Sequence, residues 1–282
     1  MPVAVVTDST TYLPAGMASE RGIRVVPLQV RIGDRVGGDG VDIGPDELVA
    51  ALAARRGEVS TSRPTPAQFA SCFRDALDGG ADEVVAVLLS RELSGTWDAA
   101  RLAAQEVDAE RVRVVDSRST AMGLGYAVLA AVDAAEKGAA GLAVEEAAAD
   151  VAARSRVIFC LETLEFLRRG GRIGPAAALL GTALAVRPLL HVTDGRILPL
   201  EKVRTTSRAV LRLVELAVQA AGRGAADLAV HHLGAQQRAA DLARQLTTRL
   251  PDVRRCLVSE LGAAIGAHCG PGVLGVVVVP AP

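Results

Sequence analysis

The sequence predicts an α/β protein of two domains: a mainly parallel α/β/α sheet over residues 1–156, then an α+β domain over 157–282 with a mixed or antiparallel sheet. Three observations carry this reading. Short apolar runs at 3–6 and 84–88 and a strand at 111–116 alternate with helical patterns, as in a parallel sheet covered on both faces. After about residue 151 the rhythm changes, and the turn Thr193-Asp194-Gly195 joins two strand-like runs into a hairpin. The chain, 282 residues and half apolar, is long enough for one large domain or two medium ones.

Taken in order, the first strand ends in Thr7-Asp8-Ser9-Thr10-Thr11, and Leu13-Pro14 opens a helix. Residues 23–32 form a second strand region, and the glycines across 33–44 predict a turn and loop. Pro45, placed where a first helical turn tolerates it, starts a helix through Arg56. Pro64 and Pro66 push 61–66 into a loop before a helix over 67–77. The strand at 84–88 then runs into Leu89-Ser90-Arg91-Glu92-Leu93-Ser94-Gly95-Thr96-Trp97, a loop and helix start. Another strand ends in Asp116-Ser117, and Gly123-Leu124-Gly125 turns into a helix through Lys137-Gly138.

In the second half, 157–161 is a strand and 164–173 a helix stopped by Gly170-Gly171. The hairpin pairs 188–192 with 196–200, followed by a helix over 206–221. A strand at 228–232, a helix at 236–250 and strands at 255–258 and 276–279 finish the chain. Between the last two strands, 261–275 holds five glycines around His268, too many for a helix interior. It predicts either a tight connection or a rigid glycine-framed turn that presents His268.

Composition narrows the function. Thirty-one basic against 32 acidic residues leave a net charge of −1, which is no footprint for nucleic acid. No apolar run reaches the ~18–20 residues of a membrane span, and no signal-peptide pattern opens the chain, so a cytoplasmic protein is expected. Cys72, Cys160, Cys256 and Cys269 form no C-x-x-C pair and read as free thiols. His268 and Cys269 are neighbours that cannot close a metal site by themselves, so no metal is expected. His231 and His232 read as strand-end histidines. The phosphate-loop and dinucleotide fingerprints are absent, Val128 standing where a third glycine belongs, and no serine sits in a G-x-S-x-G elbow.

Two places at strand ends hold the chemistry. Ser94, Gly95 and Thr96 stand where a helix exposes unpaired amides, so they either cap that helix or donate to an anion. Asp8 resembles the strand-end aspartate of aspartyl-phosphate phosphatases, but Thr10 replaces their second carboxylate, and a buried Asp capping a turn is the simpler role. Asp8-Ser9, 90–96 and Asp116-Ser117 all lie at carboxyl ends of strands, where ligands bind in parallel sheets.

Seven pieces in order resemble the DegV family of bacterial fatty-acid-binding proteins over nearly the whole chain. They are Asp8-Ser9, Thr61-Ser62-Arg63-Pro64-Thr65, the loop at 90–97, Asp116-Ser117 with Gly123 and Gly125, LEFLRRGGRI at 164–173, Lys202-Val203-Arg204-Thr205, and IGAHCGPGVLG at 265–275. The resemblance implies a long-chain fatty acid, palmitate-like or oleate-like, held between and within the domains, with no other cofactor and no catalysis by this chain. It implies carboxylate contacts from Thr61, Ser62, Ser94, Gly95 and Thr96, with Arg172 and His268 around them and Asp8, Ser9, Asp116 and Ser117 in support. It further implies presentation of the carboxylate to an ATP-dependent fatty acid kinase subunit, met through Arg204, for acyl-phosphate formation feeding phospholipid synthesis. Transient membrane contact fits such lipid transport. Gly37 stands where the family usually has an aromatic residue, Arg91 replaces a common Ser, and Trp97 a frequent Tyr. The alternative from another class is a small-anion phosphatase or hydrolase using Asp8 or Ser94.

Overall fold

The computed structural model describes residues 2–54, 57–179 and 186–282; Arg55 and Arg56, the expected end of one helix, lie outside them. The chain divides into two compact units. Unit 1 comprises Met1–Gln29 and Ser62–Arg154, and unit 2 comprises Val30–Thr61 and Ser155–Pro282.

Unit 1 contains β1 (Val3–Asp8), a 3-10 turn (Ser9–Thr11), α1 (Met17–Glu20) and β2 (Arg24–Val26), and the chain then crosses into unit 2 through β3 (Gln29–Ile32). In unit 2 follow β4 (Arg35–Gly38) and α2 (Pro45–Ala54), and β5 (Val59–Ser62) returns the chain to unit 1. There α3 (Pro66–Asp78), β6 (Glu83–Leu88), α4 (Thr96–Val107), β7 (Val112–Asp116), α5 (Met122–Glu136) and α6 (Gly141–Arg154) complete it. The four-stranded sheet has the order β2-β1-β6-β7 and is parallel throughout. Its strands are continuous apolar runs because both faces are covered. Val6, Val84, Ala86 and Leu88 pack on one face against Phe69 and Phe73 of α3 and Ala99, Ala100 and Ala103 of α4. Helices α5 and α6 pack against β1, β6 and β7. The many alanines of α4 let it lie close to the strands without bulky side chains. Thr65 caps α3 with a reciprocal Thr65–Gln68 capping box, so the loop proline motif also starts a helix.

The rest of unit 2 is β8 (Arg156–Cys160), α7 (Glu165–Arg169), a 3-10 turn (Gly174–Leu179), β9 (Arg187–Thr193), β10 (Arg196–Val203) and α8 (Thr206–Ala221). Then come β11 (Ala226–His232), α9 (Gln236–Arg249), β12 (Val253–Glu260), α10 (Ala263–Cys269) and β13 (Leu274–Pro280). Its six-stranded sheet has the order β10-β9-β8-β13-β11-β12; the pairings are antiparallel except β11 with β12. The expected Asp194-Gly195 hairpin is present, with both residues at positive φ as its turn demands. One core joins Ile158, Leu189, Leu228, Val230, Val276 and Val278 of the sheet to Leu213 and Ala217 of α8 and Leu242 and Leu246 of α9.

Four expectations are corrected. The first 156 residues do not form one continuous unit: Val30–Thr61 belongs with the second, tied there by buried contacts. Asp39, 2% exposed, accepts a bond from the Ala264 amide at 3.1 Å, and α2 packs on α10. Residues 33–44 and 61–66 are not all loop, because β4, β3 and β5 form a three-stranded sheet in that order. Gly123 and Gly125 lie inside α5 and not in a turn, and the separate α6 after Lys137-Gly138 was not expected. The glycine run around His268 is helical as α10, ending at Gly270 with φ +74°. A helix tolerates Gly266 there because proximity demands it: a Cβ would sit 2.6 Å from Leu48 Cδ2 and 3.0 Å from Leu233 Cδ2. The entropy lost at glycine is offset by the close approach of α2 and the chain after β11.

Candidate functional site

In unit 1 the strand order makes a reversal between β1 and β6: the chain leaves β1 toward β2 and later returns on the other side as β6. The crevice beyond the carboxyl ends of such a pair is where open parallel sheets hold ligands. Asp8 closes the base of this crevice and is fully buried. Its Oδ1 accepts from the Thr10 amide at 2.9 Å and the Thr10 hydroxyl at 2.6 Å, and its Oδ2 from the Leu89 amide at 2.8 Å. Thr10, the residue that breaks the phosphatase pattern, is thus the partner that holds Asp8. Ser9 Oγ accepts from the Leu28 amide at 3.1 Å, so Asp8 and Ser9 brace the crevice floor.

From β6 the chain turns at Ser90, whose carbonyl accepts from the amides of Leu93 and Ser94. Gly95 is the N-cap of α4, with no side-chain capping bond. The capping role considered for Ser94 and Thr96 is therefore not what the structure shows; their hydroxyls meet each other at 2.9 Å. Thr96 is buried and Ser94 half-buried. Arg63 lies over Gly95, donating to its carbonyl at 3.4 Å, and a Cβ on Gly95 would meet Arg63 Nη1 at 2.3 Å. Arg63 is a cation beside the helix start whose role was not read from the sequence; its signal was its place in the Thr-Ser-Arg-Pro-Thr stretch. Asp116 accepts from the Arg118 amide at 2.9 Å and pairs with Arg91 at 3.7 Å, while the Ser117 amide bonds the Leu88 carbonyl. These two residues tie β7 to the β6 loop. Beside them the Ser119 and Thr120 hydroxyls are buried without a partner among the described residues, and Ala121 has φ +52°. No sequence motif marked these hydroxyls.

In unit 2, Thr61 Oγ1 lies 2.8 Å from His268 Nε2, joining residues 207 apart in sequence. The other ring nitrogen, Nδ1, is buried with no partner among the described residues. Gly170 makes the ring's position possible: a Cβ there would fall 1.9 Å from Nδ1. The segment that ends α7 and the helix α10 are thus fitted to one another around the imidazole. Burial, helped by the positive charge of Arg172, pushes His268 down to about 4. The ring is neutral at neutral pH, with one N–H and one lone pair. Arg172 donates to the Gly170 carbonyl at 2.8 Å. Ser62, the next residue along β5, is exposed and by strand alternation faces away from Thr61. Arg204 is exposed just before Thr205, the N-cap of α8.

All four cysteines are free, and burial pushes Cys160 up to about 11 and Cys269 up to about 12, which leaves both thiols inert. His231 is fully buried at the end of β11, and its Nδ1 lies 3.2 Å from the Ser259 carbonyl. Among the described residues there is no group of three metal-ligating side chains and no helix long and apolar enough to cross a membrane.

A DegV family model matches residues 2–281. A DegV domain-containing protein of Streptomyces coelicolor is 52% identical over 276 residues, covering 98% of each chain. A Thermus thermophilus structure described as fatty acid binding of a DegV family protein superposes with a TM-score of 0.95 at 35% identity, over all of both chains. The structure of DegV, a fatty acid binding protein from Bacillus subtilis, gives 0.89 at 29% identity, again over all of both chains. On the motifs, the fold and these matches, the chain belongs to the DegV family.

Proposed function

We propose that this protein is a non-catalytic carrier that binds a long-chain fatty acid and holds its carboxylate through the Thr61 hydroxyl. The observation that carries the reading is the Thr61–His268 contact with a neutral, largely buried imidazole. With Nε2–H donating to Thr61 Oγ1, the hydroxyl proton is turned outward to an acceptor, and Nδ1 is left as a lone pair that Gly170 merely abuts. A carboxylate supplies that acceptor. In unit 2, Arg172 is the nearby positive charge; in unit 1, Ser94, Gly95 and Thr96 are further candidate donors. Asp8, Ser9, Asp116 and Ser117 keep the loops in place. An acyl chain of ~14–16 methylenes at ~0.8 kcal/mol each offers on the order of 10 kcal/mol of burial, which suits a carrier. The relatives described as fatty-acid binding support this class of ligand.

The finer role follows from the same reading. The carrier presents the carboxylate to an ATP-dependent kinase subunit that forms acyl phosphate for phospholipid synthesis in the cytoplasm, and exposed Arg204 is the contact offered to that partner. The hydrolase alternative fares worse: both Asp8 oxygens are engaged by Thr10 and Leu89, and the Ser94 hydroxyl faces another hydroxyl and no base. Lipid extraction and mass spectrometry of the purified protein tests the proposal. A bound C14–C18-class fatty acid is expected, with occupancy reduced in Thr61→Val by the ~1–3 kcal/mol of a lost hydrogen bond to a charged group. Recovery of polar metabolites alone, or undiminished lipid in Thr61→Val, overturns it.

A further inference from the structure

In unit 2 the turn that leaves β11 sets one imidazole atom between a donor and an acceptor. His232, the last residue of β11, is 5% exposed. Its Nδ1 accepts from the Ala235 amide at 3.4 Å and lies equally far, 3.4 Å, from Glu260 Oε1 at the end of β12. That same carboxylate oxygen accepts from the Gly234 amide at 2.9 Å. The turn is tied to α10 on both sides. The His232 carbonyl accepts from the Leu261 amide and the Leu233 carbonyl from the Gly272 amide, each at 2.8 Å, so the chain is held just before and just after that helix. The Leu233 side chain also packs on Gly266 inside α10, where a Cβ would lie 3.0 Å from its Cδ2. Helix α10 carries His268, the partner of Thr61.

A neutral imidazole with its lone pair on Nδ1 holds the amide of Ala235, the N-cap of α9. A protonated ring has hydrogen on both nitrogens and can only donate, so Nδ1 must leave that amide for Glu260. The Ala235 N–H then loses its acceptor, and Glu260 is shared between the imidazolium and Gly234. Burial pushes His232 below its ordinary value and Glu260 draws it part of the way back, so the proton enters below about pH 6.5, at a cost to the folded chain. The other charged groups around β11 are engaged elsewhere. On α9, Arg238 pairs with Glu162 and Asp241 with Arg244, and Arg249 stands at the far end; on β12, Arg254 and Arg255 pair with Asp227. Strand β13 has no titratable side chain, and α2, which reaches Gly234 through Val49, has its Glu47 on Arg35 and its Asp46 exposed. His231 and His268 stay neutral down to about 4, and Cys256 and Cys269, both pushed up, keep their protons. We propose that His232 is a proton-operated switch: protonation moves Nδ1 from the Ala235 amide to the Glu260 carboxylate, and the altered turn loosens α10 and the hold of His268 on Thr61. Its output, faster release of the fatty acid in mild acid, rests on the carrier reading above; the exchange of partners at Nδ1 does not.

Two measurements on the full chain test this. Stopped-flow release of cis-parinaric acid, a fluorescent fatty acid, should quicken about fivefold between about pH 7 and about pH 5.5 in the wild type, the factor of one hydrogen bond. His232→Gln keeps an acceptor for the Ala235 amide and takes up no proton, so its release should stay slow over that range. In Glu260→Gln the charge that draws the proton is gone, and the rise should move to lower pH. Proton–nitrogen NMR should show the Ala235 amide shifting together with the His232 ring as it titrates. A flat wild-type profile, a His232→Gln profile equal to the wild type, or an Ala235 amide indifferent to the His232 titration overturns the switch. If no fatty acid binds at pH 7, the carrier reading fails and the Ala235 amide alone decides the switch. Should His232→Gln fail to fold, Glu260→Gln and the amide decide.

Discussion

The Asp8 node of unit 1 and the His268 node of unit 2 are both buried polar centres beside a motif, yet their hydrogen bonding differs. Asp8 has each carboxylate oxygen engaged, by Thr10 and by Leu89, and so acts as a staple between β1 and the loop leaving β6. His268 has Nε2 on the Thr61 hydroxyl and Nδ1 without a partner among the described residues. A saturated buried group contributes stability, whereas the Thr61 hydroxyl, held by the imidazole, keeps its own proton for an acceptor. The difference separates two residues that a motif list treats alike, and four measurements test it.

The largest effect is expected at the staple. Asp8→Ala leaves the Thr10 and Leu89 amides buried without acceptors and should cost about 4 kcal/mol in urea unfolding. A loss under about 1 kcal/mol would return Asp8 to the list of candidate ligand residues.

Next comes pH. His268 and His231 both sit near 4 in the folded chain, held down chiefly by burial, against an ordinary value near 6.5. Between those values the unfolded chain binds the extra protons, so stability is full above about pH 7 and falls as pH drops toward 4, by about 3 kcal/mol per histidine. Unfolding midpoints across pH 4–7 should therefore slope less steeply in His268→Gln than in the wild type. An unchanged slope would show that His268 is not held neutral in the folded state.

Gly170→Ala probes the fit around the imidazole. A methyl 1.9 Å from Nδ1 has to move the ring, so about 2 kcal/mol of stability should go together with the Thr61 contact and the bound lipid. Wild-type lipid content in a folded Gly170→Ala protein would detach His268 from the site. The smallest stability effect belongs to Ser94→Ala. Gly95 is the N-cap, so only the contact with the buried Thr96 hydroxyl is lost and stability should change by about 1 kcal/mol, while fatty-acid affinity falls by about 1–3 kcal/mol. A drop in stability without a drop in affinity would make Ser94 structural, like Asp8.

Much of this was legible in the chain. The runs at 3–6 and 84–88 are apolar without alternation, and only strands covered on both faces need that, so the parallel sheet followed from one-dimensional pattern. Asp194-Gly195 announced its hairpin because few residues accept positive φ. The motifs that resemble the DegV family also named Thr61, His268 and Gly170 before any of them could be placed. Local rules misjudged the 265–275 run, because glycine's intrinsic cost in a helix says nothing about the Leu48 side chain that approaches from elsewhere. They also missed Arg63 over Gly95 and the unpartnered hydroxyls of Ser119 and Thr120, whose partners, or lack of them, are matters of space.

By itself, then, the sequence determined the element types, the two kinds of sheet and the set of polar residues available, because periodicity and turn chemistry act between near neighbours. Only the tertiary structure decided that Val30–Thr61 joins unit 2, that Thr61 meets an imidazole 207 residues away, and which polar groups are saturated. Those outcomes depend on close packing between distant segments and on what burial does to a proton.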